Sequence, residues 1–134
     1  MHRYDDAGKL ILRLAVGLLI LLHGIYKLAN GIGGISGMVA AHGWPSWVAY
    51  GVLVGEVLAP ILLILGVFTR PAALLVVVNM AVAVVLVHTG DLYRLSESGG
   101  WRLELQAMYL FGALAIALLG AGRFSLTGSG GRYN

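Results

Sequence analysis

Four long apolar stretches constrain this chain more than any other feature. They cover roughly residues 8–28, 47–68, 71–88 and 103–121. Each approaches the about 20 residues that a helix needs to cross a hydrocarbon core of about 30 Å. A soluble domain of 134 residues has too little interior to hide them, because small domains keep a large share of their surface wet. Only 11% of the residues are charged, against about 25% in soluble domains. A small soluble enzyme is thereby excluded, and so is a disordered chain, which needs charge and little hydrophobicity. The third stretch contains Val76, Val77 and Val78, a run that in water suits a buried strand. Its length, in a solvent where only helices and closed barrels satisfy the backbone, makes it a helix. The expected fold is all-α: a transmembrane four-helix bundle of two helical hairpins over residues 1–124, then a flexible Gly/Ser-rich tail over 125–134.

The connections follow from composition. The first stretch is too long for a signal-peptide core, has Asp5 and Asp6 before it, and reads as a retained span. Residues 29–45 read as a glycine-rich loop, with Trp44 and Trp47 placed for a membrane interface. Thr69-Arg70-Pro71 reads as a tight turn, with Pro71 opening the next helix. Residues 89–102 form a polar loop. Four spans put both termini on one side, which carries Arg3, Lys9, Arg13, Arg70, Arg123 and Arg132; the other side has Lys27, Arg94 and Arg102. Six cations against three place both termini in the cytoplasm of a bacterial-type inner membrane. The basic residues form no run or stripe, so nucleic acid is not an expected partner. There is no cysteine, which removes disulfides, thiolate metal sites and cysteine-pair redox chemistry.

Polar groups inside the spans are the candidates for function, since a charge near the bilayer centre costs at least about 2.5 kcal/mol. At about 100° per residue, Arg13, Gly17, Ile20, His23, Gly24 and Lys27 share one face of the first span. That face is either a polar seam that fixes packing or the wall of a ligand site. Glu56 lies near the middle of the second span, and Arg13 is its expected ion-pair partner. The alternatives are a protonated Glu56 or a proton site. His23, Lys27, His88 and Glu104 come from three spans at one depth and are expected to surround a pocket open to the outer side. Plain interfacial histidines, a quinone site, a b-type haem between His23 and His88, and a metal held with Glu104 are the readings left open. No metal-motif spacing is present, so no metal ligand is assigned, and nothing names a catalytic residue. Asn79 lies on the opposite face of its helix from His88 and reads as interhelical hydrogen-bond glue.

The chain resembles the DoxX family of small four-span membrane proteins. The residues that carry the likeness are Arg13-Leu14-Ala15-Val16-Gly17, His23-Gly24, Lys27-Leu28 and Gly55-Glu56. To these add Gly66-Val67-Phe68-Thr69-Arg70-Pro71-Ala72-Ala73, His88, Glu104, Leu110 and Gly120-Ala121-Gly122-Arg123-Phe124-Ser125-Leu126. Thr127 stands where the family usually has Asp. The resemblance implies a four-helix membrane bundle associated with redox systems, in some relatives with sulfur oxidation and quinone reduction. The first expectation is therefore an accessory or anchoring membrane subunit of a quinone- or sulfur-linked redox complex, with protein partners and the bilayer around it. An alternative is a small transporter or ion conductor using Arg13 and Glu56; a third is a haem- or quinone-dependent oxidoreductase in its own right. Whether the chain forms an oligomer is open.

Overall fold

The computed structural model describes residues 3–31, 33–85, 95, 99–100, 103–128 and 133–134, and its elements are all helical. They are α1 (Arg3–Asn30), α2 (Gly33–Ala41), α3 (Trp47–Leu53), a π turn (Val54–Leu58), α4 (Ala59–Leu65), α5 (Thr69–Ala83) and α6 (Glu104–Leu119). Two helical stretches are long and apolar enough to cross a membrane, Tyr4–Asn30 and Trp47–Leu65. Thr69–Ala83 and Glu104–Leu119 are shorter apolar helices. His88, expected to close the third span, lies outside the described residues, as does most of the loop at 89–102.

α1 carries Asp5 and Asp6 in its first turn and Lys27 in its last, each at the end whose partial charge it complements. It packs on α4, α4 on α5, α5 on α6 and α6 back on α1. The shared core is Val16 and Ile20 from α1, Ala59 and Leu63 from α4, Ala73, Val76 and Met80 from α5, and Tyr109, Ala113 and Ile116 from α6. The opposite faces are apolar and open: Ile11, Leu18, Leu22 and Ile25 on α1, Leu74 and Val78 on α5, Met108, Phe111 and Leu118 on α6. A surface this continuously apolar requires hydrocarbon rather than water around it.

Two expectations about the connections are corrected. The glycine-rich segment after α1 contains the helix α2, because burying Val39 against Ala49, Trp44 and Val48 outweighs the modest propensity cost of its glycines. The tail does not hang free at its described residues. α4 ends at Gly66, whose φ of 75° lets its N–H and that of Val67 both return to Leu62 O, at 2.8 and 3.1 Å. Leu126 N donates to Leu65 O at 3.0 Å, and Thr127 Oγ1 donates to Gly66 O at 3.0 Å. The first N–H groups of α5, which no helix carbonyl can reach, are taken by Asn134 and Tyr133: Asn134 Oδ1 accepts from Thr69 N at 3.0 Å, and Tyr133 O accepts from Arg70 N at 2.9 Å. Arg70 Nη1 in turn caps the end of α6 at Ala117 O and Leu118 O, both at 3.0 Å. Orphan backbone groups at two helix ends recruit the tail.

Candidate functional site

The register of α1 against α3–α4 is set by glycine. A Cβ on Gly24 would meet the backbone carbonyl of Glu56, and one on Gly17 would come within 2.8 Å of Ile64 and 3.1 Å of Pro60 O. Contacts at 24 with 56 and at 17 with 60 and 64 make the two helices antiparallel and bring their backbones together, as small residues do in membrane helix pairs. His23 and Lys27 flank Gly24 on α1, so this register carries both toward Glu56.

Glu56 sits in the π turn. Proline explains the turn. Pro60 has no N–H for the carbonyl four residues before it, which is that of Glu56, and its ring crowds that same oxygen. Widening the helix here relieves the clash, with Ala59 N donating five residues back to Val54 O. Gly55, beside Glu56, accepts the side chain of Asn79 from α5, whose Cβ and Cγ lie 2.6 and 2.8 Å from where a Gly55 Cβ would be. Asn79 therefore joins the helices by packing at this glycine.

Lys27 Nζ donates to Glu56 Oε2 in an ion pair. The Glu56 side chain is 5% exposed and that of Lys27 31%, so the lysine reaches in from the rim to a buried carboxylate. The pair borders a cavity of about 180 Å³ whose other walls include His23, Gln106, Tyr109, Ile20 and Met80. His23 is exposed at its mouth, with its ring edge-on to Tyr109 at 5.9 Å between centroids. Its Nδ1 lies 2.9 Å from Leu19 O. A carbonyl only accepts, so Nδ1 is the donor in this bond, and the tautomer that makes it has Nε2 as an acceptor. The site thus gathers an ammonium, a carboxylate, an imidazole, a phenol and an amide within apolar walls. It can both donate to and accept from a small polar group.

The expected Arg13–Glu56 pair does not form. Arg13 is fully buried, with Nη1 donating to Leu63 O at 3.3 Å and Nη2 donating to Phe124 O. The glycine register puts Arg13 opposite Leu63, seven residues along the helix from Glu56, or about 10 Å. A carboxylate is not needed there. Two hydrogen bonds from a charged donor, at about 1.5–3 kcal/mol each, offset an insertion cost of about 2.5–3.5 kcal/mol. Arg13 is a tie between α1, the end of α4 and the segment after α6, a role shared by buried Asp6, whose Oδ1 accepts from Arg123 N at 3.1 Å.

Of the four residues expected around an outer pocket, His23 and Lys27 line this cavity. Glu104 is exposed, with its carboxylate beside Gly100, and is not among the lining residues. His88 lies outside the described residues. Gln106 and Tyr109 are what sequence reasoning passed over as site residues. Their signal was present: from Leu105 to Leu119 they alone carry nitrogen or oxygen in the side chain, and they stand three apart on one face. Among the described residues no group of three or more His, Asp or Glu is placed to hold a metal ion.

Residues 8–89 match the family model DoxX. The chain is also 36% identical over 129 residues to an uncharacterized protein of Haemophilus influenzae, covering 94% of this chain and 92% of that relative. No solved structure matches it. The glycine-set pairing of α1 with α3–α4 and the polar centre at Glu56 fall within the matched region, and the chain belongs to the DoxX family of small membrane proteins.

Proposed function

We propose that the chain is an accessory membrane subunit of a redox system and that its cavity holds the ring of a quinone. The ring of contacts α1–α4–α5–α6 supports a four-helix bundle, and the cation asymmetry supports both termini in the cytoplasm of an inner membrane. Reporter fusions at Asn134 and Gly34 should then give signals from opposite sides; a periplasmic signal from Asn134 would reverse the orientation.

One observation carries the ligand reading: the Lys27–Glu56 pair shares a partly enclosed cavity with His23, Tyr109 and Gln106. A quinone presents carbonyl oxygens that need donors, and its reduced form presents hydroxyls that need acceptors. Lys27 and Tyr109 supply the first, Glu56 and His23 Nε2 the second. At about 180 Å³ the space is below the about 300–1,000 Å³ of sites that enclose whole drug-sized molecules, and it suits a single ring. When bound, a quinone would supply two-electron redox chemistry; the protein's part is to hold the ring and to hold protons at Glu56, His23 and Tyr109.

The test is equilibrium binding of a tailless benzoquinone or naphthoquinone to protein in lipid nanodiscs. Saturable binding is expected, weakened at least about tenfold by His23→Phe, a loss of about 1.4 kcal/mol. Simple partition into the lipid, unchanged by the protein, would end the proposal. A transporter or ion conductor using Arg13 and Glu56 is the alternative, and there the two residues would act at separate levels, since they face different partners.

A further inference from the structure

On the α1–α6 side of the molecule an apolar groove of about 460 Å³ is lined by Leu12, Ala15, Val16 and Leu19 of α1 and by Met108, Phe111 and Gly112 of α6, among others. Two further residues, Leu105 and Tyr109, line both this groove and the polar cavity. They therefore form the wall that the two spaces share. The α1 residues of groove and cavity make one continuous stripe: Leu12, Val16, Leu19, Ile20, His23, Lys27. At about 100° per residue these six positions fall within about 100° of one another, on one face of the helix. The groove is deepened by Gly112, where a Cβ would come within 3.1 Å of Val16. Among the described residues that line it, Tyr109 alone has a polar tip.

We infer that the groove seats the apolar tail of the ligand whose ring occupies the cavity, so that the ligand enters sideways from the bilayer between α1 and α6. The inference rests on the quinone reading above and adds the tail, the route and the residues that select for it. A free lipid chain would gain little from this groove alone, since surrounding lipid is as apolar as the leucines that line it. A tail already tethered to a hydrogen-bonded ring does not have that disadvantage, because its second contact is intramolecular. The two spaces adjoin at Tyr109 and Leu105, and that adjacency is what favours one ligand over two separate occupants. Ala15 is exposed and lines the groove without touching the cavity, so enlarging it should fill the tail site and leave the ring site intact.

The experiment compares two probes at matched concentration in the bilayer of protein-containing nanodiscs: a tailless quinone and the same ring bearing a decyl chain. Ala15→Phe should weaken the tailed probe about tenfold while moving the tailless one less than about twofold. A tailed probe with a diazirine at the chain end, photolysed on the unaltered protein, should label Leu12, Met108 or Phe111. If both probes bind and neither responds to Ala15→Phe, or the label maps to α5, the groove assignment is overturned while the ring site stands. Binding of neither probe removes the quinone reading itself and the inference with it. Labelling of the groove by a diazirine-tailed phospholipid, undiminished by excess tailed quinone, would assign the groove to lipid instead.

Discussion

Replacing Lys27 by methionine should cost about 3–5 kcal/mol of stability, because it strands a carboxylate that is only 5% exposed. The lower end of that range is expected, since the lysine itself is partly exposed. Thermal or denaturant unfolding in detergent micelles measures the loss. The sharper readout is a pair of double-mutant cycles. Lys27→Met combined with Glu56→Gln should recover more than about 1 kcal/mol relative to the sum of the single changes. Arg13→Gln combined with Glu56→Gln should be additive within about 0.5 kcal/mol, as for groups that share no partner. Coupling in the second cycle and none in the first would mean that the carboxylate is paired as the sequence alone suggests, and not as the helix register dictates.

The second large effect is expected at Gly24. A leucine there must place its Cβ where the carbonyl of Glu56 already lies, and a helix backbone cannot step aside as a flexible side chain can. Overpacking of a tight interface costs about 1–3 kcal/mol, and contact with backbone puts this case at or above the top of that range. Gly24→Leu should therefore separate α1 from the π turn and break the Lys27–Glu56 pair with it. Gly8 is the control: it lies in the same helix with nothing within 4 Å of an added Cβ. Gly8→Ala should be neutral or stabilising by about 0.5–1 kcal/mol. Equal stability of the two variants would refute the close approach of α1 to Glu56.

Much of this architecture is legible from residue chemistry. Apolar length marked the helices and spacing marked the polar face of α1, whereas the turn expected at Thr69-Arg70-Pro71 falls three residues earlier, at residues 66–68, and those three residues open α5. What spacing on one element does not contain is register between two. Arg13 and Lys27 lie on the same α1 face and are equally plausible partners for Glu56 by charge. The choice is made by where Gly17 and Gly24 touch α4 and the π turn, which is a property of the pair of helices. The same gap explains the outer pocket. His23 and Lys27 could be placed from the α1 wheel, whereas Glu104 and Gln106 differ by two residues on α6, and only the rotation of α6 within the packing decides which of them meets the cavity. The tail escaped notice for another reason. Asn134 and Thr127 look like solvated polar residues until Gly66 and the first turn of α5 present unpaired backbone groups for them to meet.

The π turn has a mechanical consequence. Pro60 removes a rung from the helical ladder at the carbonyl of Glu56, so bending is softest at that level of the Trp47–Leu65 helix. Below it, α4 is clamped: Ala59 and Leu63 are in the core, and Arg13 grips Leu63 O. Above it, α3 borders an apolar cleft of about 400 Å³ rimmed by Trp44 and Trp47 and walled by Val78 and Val82 of α5, and is held on its other side by the buried contact of Ala49 with Val39. The least regular level of this helix is therefore the residue that carries the carboxylate. Any bending of the Trp47–Leu65 helix would pivot at Glu56, against the hold of Lys27 on its carboxylate.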